Sequence, residues 1–340
     1  MRIKTGAMVI VLIFSSLNLV ISGESTDALL ESDEAAFTDS EPVNLVTAST
    51  SKNIYGQGIA KLNNGWVVGG DLNTSAQFGN YQVIANSPYD YPEYSIRPDL
   101  FVSHVDGNGQ WSWASSPDAR GGIALFSALT SGPNNETYVI GTFLGELEFG
   151  AHKITSASSS EDTFIAKLNS QGNWQWAVGF ETLSESGNSA AGGVSVAPNG
   201  DVIVTGTHTG LTDMGGIEVN ASDAEVFLVR FDSNGNTLWA RNAGGLGTET
   251  ATDVIVDSND RIWQLSYTRD TFTVDGLSHE AIGAVDMVLT GYNSNGNAVS
   301  LSAIKGGSSS EIIAGFSMAL DSSDALYISG IFTGTANGPG

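Results

Sequence analysis

The 340-residue sequence contains no cysteine, which excludes disulfide bracing, thiol nucleophiles, thiolate metal sites and a lipid-modified N-terminal cysteine. Basic residues are scarce: 13 Lys and Arg stand against 37 Asp and Glu, a formal charge of −24. A surface of that sign repels nucleic acid and anionic lipid, so neither is expected as a partner. Only four histidines occur, and none is spaced from another as metal ligands are; His279-Glu280 lacks the second His that a zinc-binding helix needs. Residues 315–319 are no nucleophile elbow, because the closing Gly is missing and Ser317 sits inside a strand pattern. Proline is limited to 8 residues and long charged helical runs are absent, which leaves short strands and tight turns as the expected structure.

The sustained apolar run at residues 7–21 follows Arg2 and Lys4 and precedes the small residues Ser22 and Gly23. It falls short of the roughly 20 residues that span a bilayer, and Ser15, Ser16 and Asn18 interrupt it. Residues 1–23 therefore read as a secretory signal peptide, which puts the mature chain outside the cell or at its surface; membrane attachment follows only if the segment stays uncleaved. Cleavage leaves 11 Lys and Arg against the same 37 acidic residues. That excess is read first as solubility in a salty exterior, and second as attraction of divalent or basic partners. Residues 24–42 carry seven acidic side chains and no basic one. With little apolar surface to offset ordering, they are expected to form a flexible acidic spacer.

What the chain has in quantity is glycine, 41 residues, and self-similarity. DTFIAKLNSQGNWQWA, starting at Asp162, recurs as DLFVSHVDGNGQWSWA from Asp99, EVFLVRFDSNGNTLWA from Glu225 and DMVLTGYNSNGNAVSL from Asp286, so the starts lie 63, 63 and 61 residues apart. A fixed period of this size signals a repeat architecture. Hairpin patterns with polar or Gly turns fall between the copies, at residues 58–70, 122–141, 192–206, 252–266 and 315–330. A Gly and Phe segment at residues 142–154 is echoed at Phe78-Gly79 and Met214-Gly215, and Gly pairs follow at Gly244-Gly245 and Gly306-Gly307. Each unit of about 62 residues then holds about four strands of five to eight residues, which matches one blade of a β-propeller. In 162–168 one face carries Phe164, Ala166 and Leu168 and the other Thr163 and Ile165. A strand apolar on both faces belongs in a blade covered by neighbours on both sides.

The period also assigns individual residues. Trp113, Trp176 and Trp239 each lie 14 positions after a motif start, with Ser300 in their place in the fourth copy. Repetition at one phase favours blade packing over an aromatic platform for sugar rings. The unrepeated Tyr89, Tyr91 and Tyr94 sit in a Pro-containing insertion, where they form a possible contact loop. Asp232, Asn234 and Asn236 place side-chain oxygens at alternate positions, as a calcium loop begins, but the later Gly and Glu of such a loop are missing. The same turn recurs at 106–110, 169–173 and 293–297, which favours a tight turn, leaves no cofactor expected and keeps calcium as the weak alternative. N-glycosylation sequons occur at Asn73, Asn135 and Asn220, of which Asn135 lies in the longest turn.

These residues resemble the SBBP β-propeller repeats of bacteria and archaea, whose units join an Asp-x-Phe-Val-x-Lys strand, a Gly turn, a Trp-Ala strand, a Gly-Gly step and a strand ending in Val-x-Gly. Here the matching residues are DTFIAKLNSQGNWQWA and EVFLVRFDSNGNTLWARNAGG followed by GDVIVTG, and the likeness covers residues 43–340. It implies an exported or surface repeat protein and brings no catalytic residues. The fourth copy departs from it at Val288, Gly291 and Ser300. Residues 311–332 supply only the first hairpin of a fifth unit, and residues 43–47 resemble a ring-closing strand. The expectation is therefore an all-β, incomplete propeller of four full blades plus half of a fifth over residues 43–340, an open arc. Its expected role is a non-catalytic binding or structural scaffold for a protein or glycan. A propeller-fold glycan lyase or hydrolase with its site in unrepeated loops is the alternative.

Overall fold

The computed structural model describes residues 48–50, 54–86, 99–156, 160–245, 247–334 and 336–337. The expected signal peptide, acidic spacer, ring-closing strand at 43–47 and contact loop at Tyr89, Tyr91 and Tyr94 lie outside these residues. Regular structure among the described residues is entirely β.

Each period folds into a four-stranded antiparallel meander. Blade one is built from Ile54–Leu62, Gly65–Leu72, Asp99–Val105 and Trp111–Ser115. Blade two uses Asp118–Ser131, Thr137–Phe149, Asp162–Leu168 and Trp174–Gly179. Blade three uses Asn188–Val196, Val202–Asp213, Glu218–Phe231 and Thr237–Ala243. Blade four uses Glu249–Val256, Ile262–Thr268, Asp286–Tyr292 and Ala298–Gly306. The hairpin Ile313–Leu320 with Leu326–Phe332 begins a fifth. No strand pairing among the described residues joins blade one to this hairpin, so the array is propeller-like without a closed ring.

Strands reach 14 residues, longer than the five to eight expected. The reason is the Gly and Phe segment, in which the second strand of a blade, 13 residues in blade two and 12 in blade three, runs on into a projecting arm and the strands paired with it lengthen too. In blade two the arm pairs Leu147 with Ile154, in blade three Leu211 with Asn220, and in blade four Phe272 with His279. These arms reach the preceding blade. Gly244 and Thr273 exchange backbone hydrogen bonds of 3.1 and 3.0 Å across the junction of blades three and four. A Cβ on Gly245 would lie 2.0 Å from the Thr271 carbonyl oxygen, so the Gly pair permits a close approach that side chains would block.

The apolar cores lie between blades. Phe164, Ala166 and Leu168 enter the core shared by blades one and two, with Trp113 and Val102. Their alternate neighbour Ile165 enters the next core, with Trp176, Phe227, Val229 and Phe231. Val226 and Leu228 then face Val254 and Val288 of blade four. Period-two alternation thus sends successive side chains into two different cores, and each fully buried Phe contributes about 2–3 kcal/mol of apolar burial.

Every first strand carries a bulge at the same place, at Gln57, Ser127, Gly192, Thr252 and Phe316. The neighbouring strands dock there through side-chain oxygens. Asp71 accepts from the Phe126 amide at 2.8 Å, and Asp253 accepts from the Met318 amide at 2.7 Å. Thr207 Oγ1 accepts from Ala251 and Ser195 Oγ from Val256 at the junction between them in the array.

Candidate functional site

The residues that recur in phase are the first candidates, and their polar atoms are spent on structure. Trp113, Trp176 and Trp239 each donate Nε1–H to a carbonyl in the third turn of the following blade: Ser170, Ser233 and Ser294, every bond 3.1 Å. The cation on the adjacent strand, directly across from the Trp, reaches the same acceptor. Lys167 Nζ lies 3.1 Å from the Ser233 oxygen, and an Arg230 guanidinium nitrogen lies 3.2 Å from the Ser294 oxygen. Arg230 is also held by Asp201 at 2.8 Å and Asp260 at 3.1 Å. One carbonyl thus receives an indole and a cation from the previous blade, a latch that the sequence period does not reveal because its partners lie 55–66 residues apart.

Blade one uses a variant of this latch. His104 stacks on Trp113 at 5.8 Å and bonds the Asn64 carbonyl at 2.8 Å and the Ser112 hydroxyl; burial holds its imidazole below the usual pKa. In blade four Gly291 and Ser300 face each other across the same two strands. Both donors are absent together, and the Trp263 ring takes the space above Gly291.

The acidic motif starts are structural as well. Asp286 accepts from the amides of Ile282 at 2.9 Å and of Gly283 and Gly306 at 3.0 Å, and it pairs with His279 Nε2 at 3.0 Å. Burial works against its charge, but these donors prevail and hold the carboxyl below the usual range. Asp162 accepts one amide, from Thr182 at 3.2 Å, and burial pushes its pKa up. Glu225 is engaged by Ser222 and by the Asn242 side chain.

Asp232 closes its own turn. Its Oδ1 accepts the amides of Asn234 at 2.8 Å and Asn236 at 2.9 Å, and its Oδ2 accepts the Asn236 side-chain amide at 2.8 Å. Asp106, Asn169, Asn293, Asp257 and Asp321 make the same pair of backbone contacts. Both carboxylate oxygens of Asp232 thereby already accept N–H donors of their own turn. No group of three His, Asp or Glu side chains suited to a metal ion occurs among the described residues.

The sequons differ in access. Asn220 is exposed on the arm of blade three. Asn135 is half-buried at φ +61°, with its Oδ1 accepting the Asn63 amide at 2.7 Å. Asn73 is buried. His208 is fully buried inside the strand Val202–Asp213, and burial lowers its pKa to about 4.

Surface concavities lie at two related junctions. One, about 520 Å³, lies between the end of blade three and the arm of blade four, near Glu225, Asn242, Thr273 and Asp275. The other, about 540 Å³, lies between the last strand of blade one and blade two, near Asp118, Glu148, Asn173 and Trp174. Periodicity gives no direct sign of either cleft, because each is assembled from two successive units.

No protein-family model matches the chain. It is 25% identical to an uncharacterised WD repeat-containing protein of Acanthamoeba polyphaga mimivirus over 49% of this chain, a match spanning 14% of that protein's length. Among solved structures, a protein of unknown function from Bacteroides caccae overlaps with TM-score 0.32 at 11% identity, covering 73% of this chain and 81% of that one. A gluconolactonase from Xanthomonas campestris overlaps with TM-score 0.35 at 10% identity, covering 81% and 82%. Overlaps of that size carry no argument about activity. The protein is a repeat array of propeller-like blades.

Proposed function

We propose that this chain is an exported, non-catalytic repeat scaffold of the SBBP type that presents its turns, arms and clefts to a protein or glycan partner. The observation that carries this reading is the employment of the repeated polar residues. The Trp, Lys and Arg groups that recur in phase bind carbonyls of the next blade, and the acidic starts bind loop amides. Carboxylates serving as general acid or base must instead face a reacting group, and carboxylates bonded to loop amides support shape in preference to turnover. Export is supported by the charged start, the apolar run at 7–21 and the acidic, cysteine-free composition.

The test has two arms. Expression in a secreting host should release a chain starting near Glu24. The purified protein should bind in a glycan array or a pull-down while a panel of glycan lyase and hydrolase substrates stays unchanged. Reproducible turnover abolished by one carboxylate substitution would sink the scaffold reading.

A further inference from the structure

We propose that the cleft between blades one and two is a carbohydrate subsite that takes a single neutral hexopyranose unit of a glycan; this rests on the scaffold reading above and names its ligand class.

The tryptophans differ in what their indole N–H groups bind. Trp113, Trp176 and Trp239 have committed their indole N–H groups to the blade latches. Trp174 has not: its Nε1–H makes no hydrogen bond among the described residues, and its ring is only partly buried. Phe149 meets that ring edge-on, with centroids 4.8 Å apart and planes at 82°, which fixes its orientation at the mouth of the cleft. A half-buried ring with a free N–H donor, packed against the core from behind, is suited to stack on the C–H face of a sugar through its open edge at the cleft.

The polar groups beside it suit hydroxyls. Asn173 is exposed, and its side-chain amide has no hydrogen bond among the described residues, because the turn uses only its backbone. Glu148 is exposed directly across the sheet from Asp118. Asp118 is itself engaged by Arg120 and Asn86, so Glu148 is the acceptor left for a ligand. An amide offers donor and acceptor together, and a carboxylate offers two acceptors, the set that vicinal hydroxyls require. A volume of about 540 Å³ accommodates a sugar ring with its bound water. The two carboxylates and the acidic surface disfavour uronic or sulfated sugars.

The related cleft at blades three and four supplies an internal comparison. Ala298 stands there in the position of Trp174, and the residues bordering that cleft include no aromatic ring. The platform belongs to the first cleft.

Titration of the full exported chain with neutral methyl hexopyranosides and their oligomers, followed by the indole N–H resonances, tests this. The Trp174 resonance should shift, while those of the three latch tryptophans stay in place. Glu148→Gln and Asn173→Ala leave the backbone bonds of the turn intact and should each weaken binding about fivefold or more, and Trp174→Ala should abolish it. Trp174→Phe keeps the packing on Phe149 and should retain stacking with reduced affinity, which separates ligand loss from misfolding. Trp66→Ala, at an exposed tryptophan on blade one, should have no effect. Neutral glycans that bind with all cleft variants unimpaired would overturn the cleft and leave the scaffold reading standing. Binding only of cationic peptides, or of no saccharide at all, would overturn the proposal. Hydrolysis of the bound oligomer would overturn the scaffold reading instead.

Discussion

Replacing Gly235 with alanine should damage one junction by a calculable amount, because Gly276 provides a matched control. Both glycines sit in hairpin turns at left-handed φ, +87° for Gly235 and +81° for Gly276. A Cβ on Gly276 meets nothing within 4 Å, whereas one on Gly235 would lie 2.8 Å from Trp176 Cδ2 and 3.0 Å from Cε3. The left-handed conformation costs an alanine about 1–2 kcal/mol, and the loss of unfolded-state freedom returns about 0.4–1. Gly276→Ala should therefore cost about 1 kcal/mol. At Gly235 the indole must also retreat by roughly 0.7 Å to reach ordinary contact, while its Nε1–H is tied to the Ser233 carbonyl of that same turn. Overpacking adds about 1–3 kcal/mol, so the total should reach about 3. Denaturant unfolding of both variants, repeated in a Trp176→Leu background, isolates the contact. In that background the two alanines should cost the same, a coupling of about 2 kcal/mol. Equal costs in the wild-type background would refute the latch, since the turn would then not press on the ring.

Three further outcomes follow from the same structure. His208, fully buried with a pKa of about 4 against an ordinary 6.5, binds fewer protons folded than unfolded; stability should fall by on the order of 3 kcal/mol as pH drops from 6.5 through 4. His208→Phe, the residue found in register at Phe143, should remove that acid sensitivity in melts across the range. Asp71 acts with the opposite sign: burial raises its pKa to about 6 from 3.8, so stability declines by up to about 3 kcal/mol as pH rises from 3.8 through 6. Asp71→Asn should accordingly raise the melting temperature at pH 8 and lose that advantage at pH 4. Asp232→Ala should cost about 1–2 kcal/mol through lost turn bonds, with the same shift in millimolar calcium and in chelator; a wild-type midpoint that rises with calcium would restore the cation reading.

The repeat period makes most of the architecture legible in the sequence itself. It located the strands around Asp99, Asp162, Glu225 and Asp286, the buried Trp positions, and the self-closing Asp and Asn turns. These features follow from local pattern: alternation over seven residues, a turn residue with a short side-chain oxygen, a glycine at positive φ. The latch did not follow from pattern, because a period identifies which residues are equivalent without saying which neighbour each one touches. Lys167, Arg230 and His104 were recognisable as one position, yet their shared acceptor lies a whole unit downstream. The arms escaped for a related reason. The Gly and Phe segment at 142–154 has only weak echoes at Phe78-Gly79 and Met214-Gly215, and only the pairing of Phe149 with His152 and Leu147 with Ile154 shows a strand continuing past its blade. Exposure of the sequons was likewise unreadable, since Asn73 and Asn220 have similar local sequence and opposite burial.

In blades two and three the latch sets a polarity: an outgoing side that donates an indole and a cation, and an incoming side that offers one turn carbonyl. Because the acceptor is a main-chain atom, it survives any change of side chain in the turn, provided the following glycine is kept. An array built on such a seam can lengthen by copying a unit whole, with no new interface to be invented. Blade four receives Trp239 and Arg230 on its incoming side but carries Gly291 and Ser300 on its outgoing side. It can follow another unit in the standard way and cannot be followed in that way itself. The seam beyond it depends on Asp253, Thr252 and Asp324, and it is there that a pulling or shearing force would part the array first.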